Sequence, residues 1–158
     1  MSDVVEWNAA RIDTDRVLRD AASILMASAK KGFGNHNCAS YVRDAFDHAF
    51  AKVGMKPISP RRYAYEYGSS YLEAGFQLME SGQLKATQRD PDIGGRLYSL
   101  RVGDVAVFGP NATHPAGHAQ MFTPDGWYSD FKQAHFVPWP AQYEDVSYSI
   151  YALLCAVS

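Results

Sequence analysis

The sequence predicts a single α+β domain in which N-terminal helices pack on an antiparallel sheet. Two observations support this fold class: apolar residues recur at helical spacing in the first third of the chain, and short apolar runs separated by turn residues fill the second half. The length of 158 residues suits one domain spanning residues 1–158. A chain of this size buries enough surface to fold without a disulfide or a metal.

Two amphipathic helices are predicted first. Residues 14–29 show a helical apolar pattern, with Asp13 or Thr14 as the N-cap. The second helix follows Asn37, a favourable N-cap residue, and ends near Gly54, where helices often adopt a positive φ. Its apolar residues form one continuous stripe that predicts burial of a single face: Tyr41, Val42, Ala45, Phe46, Ala49, Phe50 and Val53.

The middle of the chain carries weaker signals. It predicts a connector at residues 57–60, a short helix or pair of turns at residues 63–72 interrupted at Gly68, a weak strand at residues 76–79, and a loop at residues 81–99.

Four strands are predicted in the second half, at residues 105–108, 118–122, 127–131 and 148–154. Pro124, Asp125 and Gly126 form a turn between the second and third of these strands, because proline presets φ and glycine accepts a positive φ.

Composition and the absence of targeting patterns exclude several classes of function. The 15 basic and 17 acidic residues give a net charge of −2, which argues against a nucleic-acid partner. Two cysteines do not make a disulfide scaffold. The N-terminus does not resemble a secretory signal, and no apolar stretch suits a membrane span, so synthesis in the cytoplasm without membrane insertion is expected. The high aromatic content, 13%, could build a core or line a groove.

Cys38 is the strongest candidate for a nucleophile. It directly follows the predicted N-cap, and a helix N-terminus stabilises a thiolate through its unpaired N–H groups and its dipole. The backbone N–H of Cys38 could also stabilise an oxyanion. The alternative is a buried core residue, since free cysteines are among the most buried residue types.

His118 and Asp130 would complete a cysteine–histidine–carboxylate site. His118 follows Gly117, and a glycine there leaves room for a substrate backbone. A strict two-residue turn at Pro124-Asp125 would place Asp130 on the opposite face from His118, so the hypothesis requires a bulge or a three-residue turn. His118 would then accept the thiol proton of Cys38, and Asp130 would orient the imidazole.

Four short motifs resemble those of known enzymes. Residues 37–42, Asn-Cys-Ala-Ser-Tyr-Val, resemble the cysteine motif of CHAP domains (cysteine, histidine-dependent amidohydrolase/peptidase). Residues 103–108, Gly-Asp-Val-Ala-Val-Phe, are similar to the strand that precedes the histidine in CHAP and NlpC-type peptidases, and residues 117–121 resemble their Gly-His strand. Residues 127–133 resemble a Ser-Asp-Phe-Lys-Gln stretch in small amidase effectors of bacterial type VI secretion systems.

The resemblance implies a papain-like (NlpC/CHAP-type) fold and a cofactor-free cysteine amidase or endopeptidase. Its substrate would be an amide bond in the stem peptide or cross-link of peptidoglycan. It also implies an antibacterial effector that secretion machinery injects into the periplasm of a target cell, and a cognate immunity protein that blocks the groove.

Four residues are candidates for substrate binding. Asn37 adjoins the nucleophile, and Arg62 could meet the carboxylates of an acidic stem peptide. Tyr67 could form part of a groove wall, because exposed aromatic rings pack well on sugars and peptides. Gln133 could donate to an oxyanion or hold the groove.

Other interpretations remain open. A phage lysin or a cytosolic cysteine hydrolase would share the site, and a non-catalytic module would use an aromatic groove to bind a peptide. The spacing of His36, Cys38, His114 and His118 permits a metal, but no further ligand completes a recognised pattern, so no metal site is predicted. Cys155 is expected to be buried, and a disulfide between Cys38 and Cys155 is the remaining alternative.

Overall fold

Three α-helices pack on one face of a five-stranded sheet in the computed structural model, which describes residues 12–29, 37–85, 92–138 and 145–156. The helices are α1 (Thr14–Ser28), α2 (Cys38–Ala51) and α3 (Tyr67–Glu73), and a 3-10 turn at Ala64–Glu66 leads into α3. The α+β class predicted from the sequence is therefore confirmed. Among the described residues, no helix has the length and apolar character that crossing a membrane requires.

The sheet is antiparallel throughout, with strand order β1-β5-β2-β3-β4. Its strands are β1 (Gln77–Leu84), β2 (Val105–Phe108), β3 (His118–Thr123), β4 (Gly126–Tyr128) and β5 (Val146–Ala152). Strand β2 is buried along its whole length, because it lies in the middle of the sheet and both of its faces are covered.

The two faces of the sheet bury different groups. Val105 and Val107 join the core under the helices, whereas Ala106 and Phe108 join a second core cluster that loops cover on the other face. In this second cluster the ring centre of Phe136 lies 5.0–5.2 Å from those of three other aromatic residues: Phe108, Trp127 and Tyr148. Much of the aromatic content thus forms the core.

Both long helices begin and end as their sequences predict. The side chain of Asp13 accepts a hydrogen bond from the backbone N–H of Arg16 at 3.1 Å, which caps α1. Helix α2 is followed by Gly54 with a φ of 76°, the left-handed conformation that glycine adopts without strain. The hydrogen bond from Ala156 N–H to Thr14 Oγ1, at 2.8 Å, ties the end of the described chain to the start of α1.

The middle of the chain differs from the prediction in two places. Strand β1 continues to Leu84, into the region predicted as a loop, because β5 supplies a partner beyond a bulge between Leu78 and Glu80. Helix α3 runs through Gly68 without interruption, although glycine favours a break there. A Cβ at this position would collide with the hydroxyl of Tyr151, so close packing explains the glycine.

The last strand and Cys155 also differ from the prediction. Strand β5 begins at Val146 and ends at Ala152, two residues earlier at each end than the apolar run suggests. Cys155 therefore lies beyond the strand, where it is exposed rather than buried. Both Cys38 and Cys155 are free thiols, which removes the disulfide alternative.

Candidate active site

Cys38 is the first residue of α2 and lies at the helix N-terminus that its sequence predicts. Asn37 occupies the N-cap position, but no hydrogen bond from its side chain caps the helix. Instead, the backbone N–H of Asn37 donates to Oδ2 of Asp130 at 3.3 Å. The Asp130 carboxylate thus stands at the positive end of the α2 dipole, where a negative charge is favourable.

His118 is the side chain that contacts the Cys38 thiol. It begins β3 opposite Phe108 of β2, is 6% exposed, and is hydrogen-bonded to Cys38. The backbone N–H of Ala119 also donates to Sγ of Cys38. Cys38 and His118 are 80 positions apart in the sequence but close in space, because α2 packs directly on β3.

Each member of this pair changes the pKa of the other. Burial alone would raise the pKa of the Cys38 thiol, but the charge and hydrogen bond of His118, with the Ala119 N–H, outweigh it and lower the pKa. Burial alone would lower the pKa of His118, but the charge and hydrogen bond of Cys38, with Gln133 and Asp130, raise it. These opposite directions favour a thiolate beside an imidazolium, the reactive form of a cysteine nucleophile.

Asp130 lies at this site because of a turn that the sequence does not predict. The hairpin between β3 and β4 is a regular two-residue turn, in which Thr123 pairs with Gly126, so neither a bulge nor a three-residue turn occurs there. Strand β4 ends at Tyr128, three residues before its predicted end, and Tyr128 then pairs with Lys132. This second tight turn has Asp130 at its apex and frees Asp130 from the strand register.

Gln133 follows that turn and contacts the imidazole. Its Oε1 lies 2.8 Å from Nε2 of His118, and its side-chain amide is otherwise bonded within the protein. It is 5% exposed and lies behind the ring, although the sequence predicts it to bind substrate. The contact leaves Nδ1 of His118 for the thiol. Asp130, predicted to orient the imidazole, acts on it through charge, since its carboxylate raises the pKa of His118.

A groove with a volume of about 640 Å³ opens over the Cys38 and His118 side chains. Arg62 is exposed, with its guanidinium 5.1 Å from the ring centre of Tyr63. Tyr67 is almost completely buried and accepts a hydrogen bond from Arg43. The described residues that line the groove include Asn37, Arg62 and Tyr67, three of the four predicted substrate-binding residues: 37–40, 61–64, 67, 113–118, 130, 131 and 138.

Two contributors to the site carry no clear signal in the sequence. The Ala119 N–H could not be identified, because any strand residue has one. Gln120 supports Gln133 from two positions after His118 on β3, and its only signal in the sequence is a polar residue between two apolar ones, Ala119 and Met121. No cluster of residues suited to a metal occurs in the described part of the chain, and His36 lies outside that part.

The two free thiols allow a test within one molecule. Because its pKa is lowered, Cys38 should keep its thiolate as the pH falls below the ordinary thiol pKa of about 8.5. We expect iodoacetamide to label Cys38 in preference to exposed Cys155, and the preference to grow between about pH 8.5 and pH 6. Peptide mass spectrometry measures both rates, and slower labelling of Cys38 at pH 6 would contradict an activated thiol.

Comparisons with known proteins point to one kind of relative. No family model and no curated protein sequence matches the chain. Two crystal structures of the type VI effector–immunity complex Tae3–Tai3 from Ralstonia pickettii do match it. One aligns with a TM-score of 0.60 and 27% identity over 85% of this chain and 97% of its own. The other aligns with a TM-score of 0.59 and 30% identity over 84% and 98%, respectively.

Proposed function

We propose, since the chain belongs to the family of the type VI effector Tae3, that it is an antibacterial effector that hydrolyses an amide bond in peptidoglycan. The observation that carries this proposal is the hydrogen-bonded pair of Cys38 and His118 at the base of an open groove. A thiolate beside an imidazolium suits acyl transfer on amides. We further propose a papain-like fold of the NlpC/CHAP type, in which a helix N-terminus supplies the cysteine and a strand supplies the histidine.

The reaction would proceed through a thioester. Sγ of Cys38 attacks the amide carbonyl carbon, and the oxyanion that forms is stabilised by the Cys38 backbone N–H at the start of α2. The imidazolium of His118 gives its Nδ1 proton to the leaving amine nitrogen as the C–N bond breaks. Water then attacks the thioester carbonyl carbon, and His118 accepts one proton from this water. The C–S bond breaks, and the products are a carboxylic acid and the Cys38 thiolate beside the imidazolium of His118.

The remaining candidate residues have distinct proposed roles. Arg62 is placed to meet a substrate carboxylate, because it is exposed on the groove and its only described partner is the ring of Tyr63. Asn37 adjoins Cys38 in the groove lining, and the buried side chain of Tyr67 forms part of the groove wall. Asp130 stabilises the imidazolium by its charge, while Gln133 orients the ring.

The Tae3–Tai3 complexes support two further parts of the proposal. A cognate immunity protein would bind this chain and protect the producing cell, because the matched structures are effector–immunity complexes. A type VI secretion system would deliver the chain into the periplasm of a target cell, where peptidoglycan is accessible.

Digestion of purified sacculi tests the activity and identifies the bond. The wild type and Cys155→Ala should release fragments with one new carboxylate and one new amine, because Cys155 is exposed and lies outside the described groove lining. Cys38→Ala should release none. Mass spectrometry of the muropeptides distinguishes the outcomes. Full release of fragments by Cys38→Ala would refute the cysteine mechanism. If the wild type releases no fragments although its Cys38 is reactive toward iodoacetamide, peptidoglycan is not the substrate.

A further inference from the structure

The hydrogen bonds behind His118 continue past Gln133 to a second buried glutamine. Nε2 of Gln133 donates to Oε1 of Gln120 at 2.6 Å, and Nε2 of Gln120 donates to the backbone carbonyl of Phe136 at 2.8 Å. Gln120 is fully buried and lies two residues after His118 on β3, so both side chains point to the same face of the sheet. Four hydrogen bonds in sequence, through the side chains of His118, Gln133 and Gln120, thus connect the thiol to a fixed backbone carbonyl.

This chain of bonds has a direction because it ends on a carbonyl oxygen, which can only accept. The NH₂ group of Gln120 must face Phe136, so its oxygen faces Gln133. Gln133 must then turn its own NH₂ toward Gln120 and its oxygen toward His118. A second acceptor, the backbone carbonyl of His135, lies 3.3 Å from the same NH₂ and favours the same orientation.

The orientation of the Gln133 amide decides which proton the imidazole keeps. An oxygen at 2.8 Å from Nε2 requires that Nε2 carries its proton. Nδ1 is then the nitrogen that exchanges a proton with Cys38. A flipped amide would instead present N–H groups to Nε2, which would repel the imidazolium and stabilise the tautomer that carries its proton on Nδ1.

We propose that Gln120 is a positioning residue that holds the Gln133 amide in the one orientation compatible with a thiolate–imidazolium pair. The inference rests on the cysteine mechanism proposed above and adds the group that keeps the pair in its reactive form. An amide needs such a partner, because its two ends differ and a rotation by about 180° exchanges them. A carboxylate at the same place would accept from His118 in either orientation.

Replacement of Gln120 by methionine tests the proposal, because methionine has a similar length and no group that binds Gln133. We expect the rate of iodoacetamide labelling of Cys38 at pH 6 to fall by about tenfold, and the pH dependence of labelling to move toward that of an ordinary thiol. Labelling of Cys155 in the same molecule should not change. This readout needs no peptidoglycan, so it is independent of the proposed substrate.

A double-mutant cycle separates positioning from packing. In a Gln133→Glu background a carboxylate oxygen faces His118 in either orientation, and the other carboxylate oxygen faces the Gln120 oxygen, so no bond to Gln120 remains to be lost. The further change Gln120→Met should therefore not lower the labelling of Cys38 by more than about twofold. If Gln120→Met lowers labelling equally in both backgrounds, Gln120 only fills space and the proposal is wrong. If Gln120→Met does not fold, as judged by circular dichroism, Gln120→Leu replaces it, because leucine also lacks a group that binds Gln133.

The variant Gln120→Glu, with its buried carboxyl group protonated toward the Phe136 carbonyl, keeps a donor to that carbonyl and an acceptor toward Gln133. Its Cys38 labelling should therefore stay within about threefold of the wild type. A loss as large as that expected for methionine would overturn the proposal. Nitrogen-15 NMR of the imidazoles in the wild type gives a direct check, since neutral His118 should carry its proton on Nε2. A proton on Nδ1 would contradict the direction of the whole chain of bonds.

Discussion

Replacing His118 with alanine should lower the rate of amide cleavage by about 10³-fold or more, because the change removes both the proton acceptor and the positive charge beside Cys38. Without the imidazole, burial is the largest remaining influence on the thiol, and burial raises the pKa of Cys38. The thiol would then be mostly protonated at neutral pH. Release of muropeptides from sacculi measures the rate.

His48→Ala is the matched control for this change. His48 lies on the exposed side of α2, the helix that begins with Cys38, and it is absent from the groove lining. We expect His48→Ala to retain the wild-type cleavage rate and the selective labelling of Cys38. A His118→Ala rate within tenfold of the wild type would show that another group activates the thiol.

A second large effect is expected on stability, from Glu80. This carboxylate is 5% exposed and accepts four hydrogen bonds of 2.8–3.0 Å, from the backbone N–H groups of Gly95, Leu97 and Tyr98 and from the hydroxyl of Tyr148. Glu80→Ala leaves these donors without their acceptor. We expect the free energy of unfolding to fall by about 3 kcal/mol or more, and the midpoint of thermal unfolding by about 6–12 °C.

The effect of Glu80→Ala should depend on pH in a defined direction. Burial alone would raise the pKa of Glu80, but its hydrogen bonds outweigh burial and lower the pKa. A carboxylate with a lowered pKa stabilises the fold above its unfolded pKa of about 4.3, and this stabilisation disappears as the pH falls through the lowered value. The difference in stability between wild type and variant should therefore shrink below about pH 4.

Glu73→Ala provides the control for the stability measurement. Glu73 also ends in a hydrogen-bonded carboxylate, but its partner is Arg61 and the pair lies at the surface. Exposed ion pairs contribute about 0–1 kcal/mol, so the unfolding midpoint should change little. A loss as large as that of Glu80→Ala would mean that the burial of Glu80 and its four hydrogen bonds do not explain the effect expected there.

The parts of the site that the sequence predicts are those set by local pattern. The stripe that includes Val42 and Phe46 defines the buried face of α2, so the position of Cys38 at its N-terminus follows from spacing alone. The Gly-His step at Gly117 marks the start of β3 in the same way. Contact between the two follows once an amphipathic helix must pack on a sheet.

The role of Gln133 lies beyond such reasoning, because it depends on where β4 stops. Residues 127–131 have the composition of a strand, and nothing local indicates that pairing ends at Tyr128. The tight turn is fixed by backbone hydrogen bonds, from Ser129 N–H to the Phe131 carbonyl at 3.0 Å and from Gln133 N–H to the Trp127 carbonyl at 2.9 Å. Those bonds bring Gln133 behind His118, and they become visible only in three dimensions.

The extension of β1 to Leu84 is not predictable from the sequence for a related reason. Its second half, Ser81 to Leu84, contains a glycine and a glutamine and lacks the apolar alternation of a typical strand. Pairing with β5 supplies its stability, and a residue 60 or more positions away cannot be recognised as a partner from local pattern. Gly82 is needed there, because a Cβ would lie 2.9 Å from the Tyr148 hydroxyl.

The hydrogen bond between Asn37 and Asp130 joins positions 93 residues apart, and this separation has a consequence for synthesis. The ribosome synthesises Cys38 in the first third of the chain. The residues that activate its thiol are synthesised only in the last third: His118, Asp130 and Gln133. A nascent chain that ends before His118 therefore carries Cys38 as an ordinary cysteine. Because non-local contacts form late in folding, reactivity of this thiol would report that the domain has been completed.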